Sequence, residues 1–545
     1  MFLYDFIKKE AIVKHRILIF LFLLILISLI SLFIHLRLRE YAFDDAYIHF
    51  RTVENMIERG EPYFNEGERV KTSTSTGWTI LLFALFEITR LVRIDVNLPT
   101  LVAILNALLV VANALVYTVL ISKLVQQRNS TLNLPIIFLV ILSFTLYPSV
   151  GLMETIAALL IAGLALLLYV DQNKVSFTLL GASIFFRPEL IILFSLIIIH
   201  ALFTKRFSLP KVFTFSLIGV LPFLLFDLYF YETVVPNSVT AKSILYSLGY
   251  RDVTSMLFGR ISNYYYLFPF FSQFPKIYYF FIFFIIVLFI SLFLLKISKN
   301  FTELITRVDI QFSIIILIWG LFTFGAYFLR RTLIFPWYDP LYLVPIVIII
   351  SKTIFDSPTQ QLYKLNQSVA SPIVIGQIII LGIIVFSALI NPAFFIGFSE
   401  GARVRQYIQI AEDLYQQYPN SVLMTSEIGG LGYGFRGTIL DAGGLASPEA
   451  QKYHPLKVPD ERSHGWIGAI PVGFVRARDP DIIVSYDIFI ESLLKSDIGH
   501  NYTVTKFPLF LEDDRLIIEI KMPLREVILR TLSGAEYLYI YTLND

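Results

Sequence analysis

Long apolar runs separated by short polar loops dominate this chain, and their lengths predict a polytopic membrane protein. About eleven runs approach the ~17–25 residues a helix needs to cross a bilayer. They lie at 17–36, 98–121, 133–150, 154–170, 174–187, 189–204, 211–231, 276–296, 311–329, 338–353 and 372–391. Residues 77–92 are apolar too, but short and followed by Arg93, so they read as a re-entrant or interfacial segment.

The polar breaks assign sides. Lys8, Lys9, Lys14, His15 and Arg16 precede the first run, which predicts a retained signal anchor with a cytoplasmic N-terminus. Every second loop after it is basic: Lys123 and Arg128, Lys174, Lys205 with Arg206 and Lys211, Lys296 with Lys299 and Arg307, then Lys352 and Lys364. That frame puts outside the membrane the first loop 37–97, the turn at 151–155, the break at 187–189, the loop 232–275, Arg330–Arg331 and everything after about 392.

Within the first loop, Ala46, Phe50, Val53 and Ile57 recur at helical spacing, with His49, Arg51, Glu54 and Glu58 between them. Gly60 and Pro62 end the pattern. The stripe predicts a helix lying in the membrane interface, with Asp44 and Asp45 at its N-terminus. After 392 the charge density rises. Val404, Ile408, Ala411, Tyr415 and Tyr418 form a helical face, and strand-like runs follow at 421–425, 438–440, 482–485, 516–520 and 537–541. The expected division is therefore a membrane domain over 1–391 and a soluble extracytoplasmic α/β domain over 392–545. Gly430, Gly432 and Gly434 lack the strand and helix that a dinucleotide loop requires, and read as a turn-rich loop.

Composition agrees. Of 545 residues 56% are hydrophobic and 16% charged, and the mean hydropathy is +0.70, whereas soluble domains carry roughly 25% charged residues. The net charge of +2, without a basic cluster, implies no nucleic-acid partner. The absence of cysteine excludes disulfides, thiolate metal sites and a thiol nucleophile.

Adjacent carboxylates such as Asp44 and Asp45 suit two roles. Mutual repulsion raises one pKa and makes a base, or the pair holds a hard divalent cation (Mg, Mn or Ca) through oxygen. Lys242, in the sequence Pro236-Asn237-Ser238-Val239-Thr240-Ala241-Lys242, can act as a point charge on phosphate. Arg330 and Arg331 defy the positive-inside bias and invite an anion. Glu154, Arg187 and Glu189 flank apolar segments, where ionisable groups are paired or functional.

These residues resemble the polyprenyl-phosphate-dependent glycosyltransferases of the C-type fold, particularly the terminal arabinofuranosyltransferase-like branch. The similarity runs through Asp44-Asp45-Ala46-Tyr47-Ile48, Phe64-Asn65-Glu66-Gly67-Glu68-Arg69-Val70, and Thr74-Ser75 to Trp78. It continues in Gly151-Leu152-Met153-Glu154-Thr155, Arg187-Pro188-Glu189 and Pro236-Asn237-Ser238, then in residues 427–433 and 439–445. The stretch 335–340 departs from the pattern. The resemblance implies an extracytoplasmic active site in a bacterial inner membrane, a polyprenyl-phosphate-linked sugar donor, and an envelope glycan, lipid or protein acceptor. An aspartate of the doublet would be the base, with Lys242, Arg330 and Arg331 on the donor phosphate. His49, Arg51, Glu68, Arg69, Trp78, Glu154, Arg187, Glu189 and Asn237 would bind substrate or support the site. The competing readings are a transporter or flippase of lipid-linked sugars and a non-catalytic glycan-binding protein. The oligomeric state does not follow from sequence.

Overall fold

A computed structural model describes residues 21–125, 134–245, 307–331, 335–355, 397–454, 470–514 and 537–544, apart from isolated positions within them. The expected spans 276–296 and 372–391 and the expected strand 516–520 lie outside the described residues, as does the basic N-terminal segment.

The described part of the first span is helical over 24–38 and leads into α1 (Asp44–Arg59). Two carboxylates in the first turn of α1 complement its dipole. Gly60 ends it in the left-handed region at φ 74°, its N–H closing on the Met56 carbonyl. Burial on this helix is wider than the one apolar stripe expected. Residues 46–53 are buried on every side of the helix, His49 and Arg51 included. Polar groups can enter because they find partners: the Arg51 guanidinium donates to the carbonyls of Phe64, Gly432 and Gly437 and to Asn65 Oδ1.

Next come α2 (Thr76–Leu91), α3 (Leu98–Leu124), α4 (Leu134–Val150), α5 (Thr155–Val170), α6 (Val175–Ser183), α7 (Ile191–Phe203), α8 (Leu209–Tyr231), α9 (Asn237–Leu245), α10 (Val308–Arg330) and α11 (Pro340–Phe355). Among the described residues three helices are long and apolar enough to cross a membrane: Leu98–Leu124, Leu209–Tyr231 and Asp309–Arg330. The segments expected as abutting spans at 174–187 and 189–204 are shorter than that. With 9 and 13 residues, α6 and α7 extend roughly 14 and 20 Å, short of a ~30 Å hydrocarbon layer. Arg187 and Pro188 break the chain between them.

Polar side chains join the helices. Asn106 donates to the Ser149 carbonyl and Asn113 to that of Ile156, tying α3 to α4 and α5. On α8, Asp227 is fully buried; it accepts from Thr76 Oγ1 and is ion-paired with Lys71. This fastens the first loop to the bundle.

The C-terminal region opens with α12 (Gly397–Gln417). It continues through β1 (Val422–Thr425), α13 (Gly430–Phe435), β2 (Thr438–Asp441), α14 (Val472–Arg478), β3 (Ile482–Tyr486), β4 (Tyr502–Pro508) and β5 (Tyr537–Leu543). The strand order is β2-β1-β3-β5-β4; β1 runs parallel to β2 and β3, and β5 antiparallel to β3 and β4. Gly430, Gly432 and Gly434 form a helix rather than the expected loop, and their missing side chains let it press on its neighbours. A Cβ on Gly434 would lie 2.6 Å from the Ile408 carbonyl oxygen. Tyr418 lies past the end of α12 and is exposed.

One face of the sheet has its own core of Met424, Leu440, Phe474, Ile483 and Tyr541. Leu423, Ile439, Val484 and Ile540 instead join the continuous core that runs through α12 and α1 into the helical bundle. The C-terminal region is thus packed onto the first loop.

Candidate active site

The apolar sequence around α1 delivers its N-terminus to the junction of bundle and sheet region. The Phe43 N–H donates to the Gly151 carbonyl at 3.2 Å, and a Cβ on Gly151 would fall 2.0 Å from the Phe43 ring. Phe43 also packs on Trp337, with ring centroids 4.8 Å apart. The first loop, the 151–155 turn and the segment before α11 are therefore locked together, and a cleft opens beside them.

The cleft is lined by three carboxylates (Asp45, Glu154, Glu189) and three cations (Arg187, Lys242, Arg330), with His49, Ser73, Tyr327, Tyr338 and Leu445 among the other walls. Asp45 Oδ2 accepts from Lys242 Nζ at 3.0 Å, both side chains being about one-fifth exposed. Deeper in, Arg187 Nη1 donates to Glu154 Oε1 at 2.6 Å, and its Nη2 and Nε reach the two oxygens of Glu189. Tyr327 donates to Glu189 Oε1 at 2.9 Å, and the Arg187 guanidinium lies 4.2 Å from the Tyr338 ring centroid. Arg187 is committed to two carboxylates and an aromatic face, whereas Arg330 is exposed. His49 sits between the two polar groups, its Nδ1 3.2 Å from Thr79 Oγ1. Burial holds its imidazole below the usual pKa, which keeps the ring neutral near pH 7.

Asp44 faces elsewhere. Its Oδ2 accepts from the Gly429 N–H at 2.9 Å and its Oδ1 from the Gly430 N–H at 2.8 Å. Burial, and then the neighbouring Glu427, push its carboxyl up to about 7 against the opposing bond from Gly430. Consecutive residues of a helix point about 100° apart, and here that angle separates the doublet. Asp44 is held by two backbone N–H groups and Asp45 by Lys242. Among the described residues no group of three or more His, Asp or Glu side chains could hold a metal.

Of the other residues singled out from sequence, several serve the walls rather than the cleft. Asn237 donates to the carbonyls of Gly444 and Leu445, holding the loop that brings Leu445 to the cleft. Arg51 binds the C-terminal region, as does Asn65, whose amide pairs with both the N–H and the carbonyl of Ile439. Glu68 accepts from Asn65, Arg69 pairs with Glu232 at the surface, and Trp78 is buried in the core. Arg331 caps α10 and is not among the lining residues. Tyr327 and Ser73 were not anticipated. Tyr327 lies on a span with ordinary aromatic content, and only its meeting with Glu189 marks it.

Comparison with known proteins gives likenesses of three kinds. Residues 397–528 match the model of a domain of unknown function, DUF8728. A 45-residue stretch is 49% identical to the terminal beta-(1->2)-arabinofuranosyltransferase of Mycobacterium tuberculosis, covering 8% of this chain and 7% of that protein. That match is short. The chain is also similar to ArnT from Cupriavidus metallidurans in a crystal structure bound to undecaprenyl phosphate. That likeness has a TM-score of 0.47 at 11% identity, over 96% of this chain and 98% of the other.

Proposed function

We propose that this protein is a membrane glycosyltransferase that moves a sugar from a polyprenyl-phosphate donor to an acceptor hydroxyl on the extracytoplasmic face. The acceptor is an envelope glycan, lipid or protein, and the membrane is the bacterial inner membrane. The observation that carries this reading is the Asp45–Lys242 pair at the cleft, 3.0 Å apart. In the resting cleft each group neutralises the other. A donor phosphate competes for the lysine, and as Lys242 turns to it Asp45 is left without its counter-ion.

The step is then a single inverting displacement. The acceptor oxygen attacks the anomeric carbon while the bond from that carbon to the phosphate oxygen breaks, and polyprenyl phosphate leaves with the electron pair. Asp45 takes the hydroxyl proton as general base. Lys242 and Arg330 face the phosphate and stabilise the charge that develops on it. His49, Glu154, Arg187 and Glu189 form the polar wall against the sugar. No step is routed through a divalent cation; Asp45 together with donor phosphate oxygens is where one would bind.

The test uses the purified full chain in liposomes with a radiolabelled polyprenyl-phosphate sugar and a delipidated envelope fraction as acceptor. Release of polyprenyl phosphate with label in the acceptor supports the proposal. Movement of intact donor across the bilayer, without release, makes the protein a carrier of lipid-linked sugars and overturns it.

A further inference from the structure

One buried carboxylate oxygen in the cleft has no hydrogen-bond partner among the described residues. Glu154 is 1% exposed, its Oε1 is bound by Arg187, and its Oε2 has no hydrogen bond. His49 Nε2 lies 3.7 Å from Oε2, beyond hydrogen-bond reach. A buried acceptor left in this state costs free energy, more so when charged.

The chain goes to some length to hold it there. Glu154 stands at the N-cap of α5 and its side chain makes no capping bond, so the carboxylate is not spent on the helix's own N–H groups. It follows Leu152, which adopts φ 58°, a conformation unfavourable for a branched side chain. Arg187 fixes the carboxylate from behind, and Glu189 with Tyr327 fixes Arg187. The free oxygen is therefore held in place before any ligand arrives. What it needs is a neutral donor. An anion is repelled by Glu154 and Glu189, and a cation finds the wall already occupied by Arg187.

We propose that Glu154 Oε2 is the specificity-determining acceptor for one hydroxyl group of the transferred sugar, with His49 beside it bounding the same subsite. The inference rests on the glycosyltransferase reading and narrows it: the donor class is a polyprenyl-phosphate sugar bearing a free hydroxyl at the position read, and the corresponding deoxy sugar is discriminated against.

The test pairs Glu154→Gln with synthetic arabinofuranosyl and glucosyl polyprenyl phosphates and with each of their monodeoxy counterparts. Gln keeps an oxygen for Arg187 and turns an N–H toward the cleft. Two readouts are taken on the full chain in detergent: donor binding without acceptor, by thermal shift, and sugar transfer. With the wild type, removing one particular hydroxyl should weaken binding and kcat/KM by roughly 10- to 100-fold, the range of a hydrogen bond to a charged group. E154Q should lose a similar factor on the parent donor and little more on that deoxy donor. Equal losses on the parent and on every deoxy donor would overturn the subsite while leaving transfer intact. Coupling in binding without transfer by the wild type would keep the subsite and sink the glycosyltransferase reading. Neither binding nor transfer would overturn both. If E154Q does not fold, Glu154→Asp, which keeps the charge but withdraws it by one methylene, is put through the same cycle.

Discussion

Asp44 and Asp45 are neighbours on one helix and serve different parts of the molecule. Asp45 looks into a cleft walled by the helical bundle and answers to Lys242; Asp44 looks into the C-terminal region and is held by two backbone N–H groups of Gly429 and Gly430. The first environment is polar and partly open, with partners that can turn away. The second is tight: a Cβ on Gly429 would lie 1.8 Å from the Asp44 carbonyl oxygen. A group meant to exchange protons needs the former, and one meant to hold two regions together needs the latter. On the proposed function, the doublet combines the base with the clasp that keeps its helix in place.

That contrast can be broken in graded ways. Asp45→Asn removes the base and should lower sugar transfer by roughly 10²–10⁴-fold, with unchanged thermal stability and protease pattern. A parallel loss of stability would mean that Asp45 is structural. Gly429→Ala inserts a methyl group against backbone and should destabilise the seating of the C-terminal region by about 1–3 kcal/mol, read as faster proteolysis after residue 397. Asp44→Ala leaves two N–H groups unpaired and should cost about 1–2 kcal/mol. Amide exchange at Gly429 and Gly430 should then rise, while exchange in α1 beyond its first turn stays slow. Because the two sites touch, the double variant should lose less than the sum.

A separate effect is a pH slope from Asp441, whose loop carries Leu445 to the cleft. Burial raises its carboxyl to about 6, against N–H bonds from Ala446 and Gly443. The folded state therefore holds a proton that the unfolded state releases. This contribution is complete below pH ~4 and is lost as pH rises through 6, by up to about 3 kcal/mol. Thermal midpoints between pH 4.5 and 7.5 should carry this slope in the wild type, and Asp441→Asn should flatten it.

Much of the site was legible in the sequence because its parts are unusual where they stand. Carboxylates beside a span, an Arg-Pro-Glu break between short apolar segments, and a lysine in a polar loop each call for partners, and the fold brings Asp45, Glu154, Arg187, Glu189 and Lys242 together. Four of the five expected strands appear close to their predicted limits for the same kind of reason: 422–425, 438–441, 482–486 and 537–543 are dense in β-branched or aromatic residues. The strand at Tyr502–Pro508 was missed; it is a sheet edge with six of its seven residues exposed, so no apolar pattern marks it.

What could not be read depends on distant partners. Periodicity places His49 and Arg51 off the apolar stripe of α1, and nothing local reveals that Arg51 will meet carbonyls nearly four hundred residues away. The glycines at 430–434 looked like a loop since their helix is short and stabilised by neighbours it can approach only without side chains. The separate fates of Asp44 and Asp45 belong to the same class: the doublet was visible, but its division was not.

The most direct measurement compares Asp44→Asn and Asp45→Asn in the same preparation, scoring sugar transfer from a polyprenyl-phosphate donor alongside protease protection of the C-terminal region. The account predicts that Asp45→Asn abolishes transfer with full protection, and that Asp44→Asn loosens protection while keeping measurable transfer. Transfer abolished by Asp44→Asn with protection intact, and retained by Asp45→Asn, would contradict it.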